Sequence, residues 1–137
     1  KKFLEAARTL IPQESQAEDN WHPVGKYLAC HSVELSLKAF LTLNGEKMDS
    51  LKKRFNHRIA QLLHETQKHD LQALVKLTGE EIVEIKGAEN YYASKIFEYP
   101  AISEILRGYP GDPNSSHLLR AAEKLVDGLY YPCKAAN

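Results

Sequence analysis

The sequence predicts an all-α fold, an up-and-down bundle of four to five main helices over residues 1–137. Three observations carry this expectation. Apolar residues recur every three or four positions along most of the chain, and no stretch alternates with the period of a strand. Gly and Pro fall at the joints between the periodic stretches. The 137 residues are 43% hydrophobic and 26% charged, enough apolar material for one domain with its own core.

The elements follow in order. Phe3, Leu4, Ala7, Leu10 and Ile11 predict a helix over 2–11, ended by Pro12. Gln13 to Asn20 is polar and reads as a loop. Pro23 suits the first turn of a second helix that runs to Leu43, where Asn44-Gly45 stops it. Tyr27, Leu28, Leu35 and Ala39 line one of its sides, and Cys30, Val33, Leu37, Phe40 and Leu41 another. A helix apolar on two sides belongs at the centre. Between these sides runs a line of small residues, Gly25, Ala29, Ser32 and Ser36, suited to close helix packing within the chain or to a dimer seam.

Glu46 to Asn56 reads as a charged connection. Asn56 can cap a helix starting at His57, with Ile59, Leu62 and Leu63 as its stripe. Asp70 is the candidate cap of a short piece with Leu71, Leu74 and Val75. Thr78 with Glu81 has capping-box spacing and opens a helix that Glu98-Tyr99-Pro100 ends or kinks. Ile102, Ile105 and Leu106 predict a short helix, and residues 108–116 a loop. The last helix carries Leu118, Leu119, Ala122, Leu125, Val126 and Leu129 and stops at Pro132.

Lys+Arg and Asp+Glu both number 18, so the chain is not a broadly basic nucleic-acid binder. Charge is nonetheless uneven. Lys47, Lys52, Lys53, Arg54 and Arg58 face one acid, Asp49, within 47–58, whereas Glu80 to Asp112 holds seven acids and three bases. The basic segment at a helix start suits a phosphate, with a solvated loop as the plain alternative. No apolar run nears the roughly 20 residues of a membrane span. Lys1-Lys2 leads into an amphipathic stretch rather than a signal peptide, so a cytoplasmic location is expected. Cys30 and Cys133 make no disulfide framework, and the six His lack metal-site spacing, so neither metal nor cofactor is expected.

His31, Glu34 and Lys38 form a polar line along the central apolar helix. Buried charges need partners, and His57 is the expected one. Two readings stay open. One is a satisfied interhelical network. The other is the floor of a cleft, with Lys38 a phosphate contact and His31 a proton carrier or base contact. Tyr91 and Tyr92 are adjacent, so one belongs in the core; the other, with Tyr99, is a candidate for stacking on a base.

Three segments together resemble the HEPN family of small helical domains. They are Tyr27-Leu-Ala-Cys-His31-Ser-Val-Glu34-Leu-Ser-Leu-Lys38-Ala-Phe-Leu41; Asn56-His57-Arg-Ile-Ala-Gln-Leu62-Leu63, where Asn replaces the usual Gly and Arg58 stands where an acid is common; and Asn90-Tyr91-Tyr92 with Lys95 and Glu98-Tyr99-Pro100. Together they cover roughly residues 20–130. The resemblance implies a helical bundle, often a homodimer, with two functional branches. One is a metal-independent endoribonuclease of toxin–antitoxin type, using an Arg and a His four to six residues apart. The other lacks that pair and binds a nucleotide, RNA or a small nucleotidyltransferase partner. Arg58 and His64 have five residues between them. Six positions on one helix are about 600°, which leaves them about 120° apart around its axis. The non-catalytic branch is therefore the expectation, with His31, Glu34, Lys38, His57, Lys52, Lys53, Arg54, Arg58, Tyr91, Tyr92 and Lys95 as the ligand-binding set. The endoribonuclease and a purely structural dimerisation protein are the alternatives.

Overall fold

The structure, a computed structural model, describes residues 1–14, 23–100 and 102–136. These form α1 (Lys2–Glu14), α2 (Pro23–Leu43), α3 (Met48–Phe55), α4 (Ile59–Gln67), α5 (Leu71–Leu74), α6 (Gly79–Ala93), α7 (Ile102–Leu106) and α8 (Ser115–Ala135). No described residue lies in a strand, and the fold is an all-α bundle. Four long helices, α1, α2, α6 and α8, are joined by α4, while α3, α5 and α7 are short.

α2 is the axis. It packs most extensively on α1 and α8 and also touches α3, α4 and α6. Both of its apolar sides therefore find partners, although Leu35 remains exposed. The small-residue line Gly25, Ala29, Ser32 and Ser36 is buried. Ser32 and Ser36 line a cleft with Phe3 of α1 and Leu129 of α8, so this side of α2 faces helices of the same chain. Of the two readings of that line, packing within the chain is the one its burial supports. α8 passes close to the end of α5 at Gly128, where an added Cβ would stand 2.7 Å from Cγ2 of Val75.

Two element ends match their signals, and α8 begins at Ser115, inside the loop expected over 108–116. α2 stops in a Schellman turn: Glu46 N–H donates to Leu41 O and Gly45 N–H to Thr42 O, with Gly45 at φ +94. Thr78 and Glu81 form the predicted capping box, and Asn114 Oδ1 accepts from the N–H groups of Ser116 and His117.

Several boundaries differ. α1 continues through Pro12 to Glu14 and α8 through Pro132 to Ala135. Each proline lies within one turn of its helix end, where few further backbone bonds remain to be broken, and buried Ile11 and Leu129 anchor the backbone before it. Residues 13–14 of the expected polar loop are thus helical, and 15–20 lie outside the described residues. The charged connection contains a helix, α3, because Leu51 and Phe55, four apart, both reach the core. Asn56 is the C-cap of that helix at φ +46 rather than the cap of the next, which begins at Ile59. Asp70 precedes α5 but makes no side-chain cap bond. α6 ends at Ala93, before Glu98-Tyr99-Pro100, because Lys95 takes φ +58 and Ile96 N–H donates to Tyr91 O.

Candidate functional site

The helical spacing puts His31, Glu34 and Lys38 on one side of α2, facing Tyr92 of α6 and the α3–α4 corner at Asn56-His57. Glu34 is the hub and only 3% exposed. Lys38 Nζ and the Tyr92 hydroxyl donate to its two oxygens, Oε1 and Oε2. His57 Nδ1 lies 3.0 Å from Oε2. Lys38 Nζ also donates to Asn56 O at 3.0 Å, tying the corner to α2. His31 Nδ1 lies 2.8 Å from the Tyr92 oxygen and 3.8 Å from Glu34 Oε2.

Electrostatics follow from this arrangement. Burial alone would push the Glu34 carboxyl up, but hydrogen bonds from Lys38, Tyr92 and His57 outweigh it and hold it below the ordinary value. Burial, and then the neighbouring carboxylate, push the Tyr92 phenol far up, so it stays a neutral donor. Burial lowers His31, against the pull of Glu34, so its imidazole is neutral at physiological pH. Rings enclose it: Phe3 meets it edge-on at 4.5 Å, and Tyr27 stacks parallel at 6.0 Å. Tyr92 meets His57 edge-on at 5.3 Å.

The expected meeting of the polar line with His57 is thus present. Lys38, however, is buried and turned onto Glu34 and Asn56, so it does not stand at the surface as a phosphate contact. Tyr91 is the core tyrosine, stacked on Phe97 at 5.5 Å with its hydroxyl on Pro110 O. Tyr92 is also buried and acts through its hydroxyl, so neither ring can stack on a base. Tyr99 is 74% exposed. Lys95 is exposed at the turn after α6.

The basic segment divides. Lys52 and Lys53 are exposed on α3, and Arg58 is exposed just before α4. Arg54 is engaged by Glu46 at 3.0 Å and Glu65 at 3.7 Å. The α4 N-terminus, expected to help hold phosphate, already meets a carboxylate: Ala60 N–H donates to Glu89 Oε2 at 2.7 Å. His64 is exposed on the same helix that Arg58 precedes, and the Glu34 network contains neither.

Tyr27, Phe3 and the Asn56 carbonyl were not singled out as site residues, since an apolar stripe and a backbone oxygen carry no motif. Phe3 also lines an apolar cleft of about 470 Å3 between α2 and α8, whose rim carries Lys1 and Lys134 rather than Lys38 or residues 47–58. Among the described residues, no group of three or more His, Cys, Asp or Glu converges to hold a metal ion, and no helix is long and apolar enough to cross a membrane. Comparison with family models, curated proteins and solved structures returned no match for this chain.

Proposed function

We propose that the chain is a HEPN-like module that binds a nucleotide or RNA without cutting it. The observation that carries this reading is the pair of half-buried imidazoles, His31 and His57, held by one buried carboxylate system that ties down the α3–α4 corner, whose exposed cations are Lys52, Lys53 and Arg58. Tyr27 and Phe3 flank His31, and Phe3 joins it to a cleft of a size suited to small ligands. The residue order around Asn56-His57 supports the HEPN resemblance: Asn56 takes the positive φ for which Gly, the family's residue there, is best suited. Binding is preferred to cleavage on chemical grounds. Metal-free RNA cleavage needs a cation on the developing phosphate charge. The ammonium nearest the imidazoles, Lys38, is spent on Glu34 and Asn56. Arg58 precedes α4, His64 lies within it, and the Glu34 network contains neither. The resemblance adds a homodimer and, in place of a nucleotide or RNA, a small nucleotidyltransferase as the alternative partner.

Fluorescence anisotropy with a labelled single-stranded RNA tests it. Binding should weaken with salt and fall at least about tenfold in Lys52→Ala/Lys53→Ala/Arg58→Ala. Absence of binding to RNA and to mononucleotides at millimolar concentration refutes the reading. RNA cleavage lost in both His31→Ala and His57→Ala replaces it with the nuclease branch.

A further inference from the structure

The hydrogen bonds around Glu34 fix where the protons of both imidazoles sit. Glu34 is ionised, since Lys38 bonds Oε1 and the network holds the carboxyl below its ordinary value. A carboxylate only accepts, so the 3.0 Å contact from His57 Nδ1 is an N–H donating to Oε2. The Tyr92 hydroxyl has one proton, and it is spent on the same carboxylate. The 2.8 Å contact between His31 Nδ1 and the Tyr92 oxygen is therefore a His31 N–H donating to the phenol. When neutral, both rings must carry the proton on Nδ1, facing inward, and the lone pair on Nε2. Neither Nε2 has a protein partner among the described residues, and both side chains reach solvent, at 23% and 35% exposure.

We propose that His31 and His57 form a double hydrogen-bond acceptor, with Tyr92 and Glu34 as its positioning residues, and that it recognises the ribose hydroxyls of a nucleotide. This rests on the nucleotide-binding reading above and narrows it. Two outward lone pairs repel the oxygens of a phosphate and seek O–H or N–H donors. In a nucleotide the donors common to all four bases are the ribose hydroxyls, and the 2′-hydroxyl separates ribose from deoxyribose. The exposed cations of the α3–α4 corner are left for the phosphate.

Two measurements at pH 8, where free imidazole is neutral, test this. The first is the histidine side-chain 15N–1H spectrum of the unliganded protein, which reports the tautomer of each ring. His31 and His57 should both be in the Nδ1–H form. In Tyr92→Phe, which keeps the ring but removes the hydroxyl, His31 should shift towards Nε2–H while His57 keeps its form. The second is the affinity for AMP and for 2′-deoxy-AMP. AMP should bind about tenfold more tightly, and Tyr92→Phe should lose most of that preference. An Nε2–H form at either ring in the wild type overturns the proposal without any variant. Equal binding of the two nucleotides overturns it and leaves nucleotide binding standing. Binding of neither removes both.

Discussion

Replacing Glu34 with Gln keeps the shape of the side chain and deletes its charge. The consequence falls first on Lys38, whose side chain is 7% exposed and whose partners are Glu34 and the Asn56 carbonyl. Removing one member of a buried pair leaves an uncompensated charge, at a cost of about 3–5 kcal/mol. Glu34→Gln should therefore lose about that much, as should Lys38→Met, which strands the carboxylate instead. Changing both removes the uncompensated charge. What remains is the weakened bonding of Tyr92 and His57, of order 1 kcal/mol each. The double variant should thus be no worse than either single one, with a coupling energy of at least about 2 kcal/mol. Urea denaturation reads this directly: with a slope of about 1–3 kcal/mol per molar, a 3 kcal/mol loss moves the midpoint by one molar or more. Additive losses, within about 0.5 kcal/mol, would show that Glu34 and Lys38 are not an isolated buried pair, and the energetic account of the site would fail.

The same network sets a pH dependence. Glu34 is held below its unfolded value of 4.5, so its contribution is present above about pH 4.5 and lost as pH falls through the folded value. His31 is also lowered, from 6.5, but as a base it costs stability once the unfolded chain protonates. The urea midpoint should be flat near pH 8, begin to fall below about pH 6.5 and fall further below about 4.5; a midpoint that rises on acidification would contradict both shifts. Gly87 of α6 has open space where a Cβ would stand, so Gly87→Ala should gain about 0.5–1 kcal/mol of helix propensity. Gly128→Ala gains the same propensity but presses on buried Val75, an overpacking cost of about 1–3 kcal/mol, and should be net destabilising in thermal melts. Thr78→Ala deletes the capping box and should cost about 1 kcal/mol in the same melts. Leu106 is exposed, so Leu106→Glu should leave the melting temperature unchanged within about 1–2 °C.

Periodicity alone located the long helices, because α1, α2, α6 and α8 each bury residues at helical spacing, and the Thr78–Glu81 and Asn44-Gly45 signals placed two ends to the residue. The meeting of Glu34 with His57 was also legible, since a charged line on a central helix must find a partner. Three things were not. α3 was hidden by its lysines and arginine, though Leu51 and Phe55 alone suffice to seat it. The end of α6 depends on Lys95 adopting a left-handed backbone, which its side chain does not advertise. The role of Tyr92 lies in one proton and its recipient, and helix numbering says only which way a ring points, not where a hydroxyl ends. The α4 N-terminus read as a ready anion site, but Glu89, about thirty residues on in sequence, already holds its backbone N–H, which leaves only the exposed Lys52, Lys53 and Arg58 of the basic corner.

The central position of α2 between α1 and α8 also bears on how the chain is made. α1 and α2 leave the ribosome before α8, yet one of the largest faces of α2 waits for it. Until then the side of α2 that carries Ser32, Leu35, Ser36 and Ala39, which shares a cleft with Val126 and Leu129 of α8, lacks part of its cover. During synthesis the nascent helical pair is therefore a substrate for chaperones and a hazard for aggregation, and its release depends on the arrival of one late segment. Substitutions that weaken α8, such as at Gly128, should lower the yield of soluble protein in cells by more than their effect on the melting of the finished fold, and raising chaperone levels should restore part of that yield.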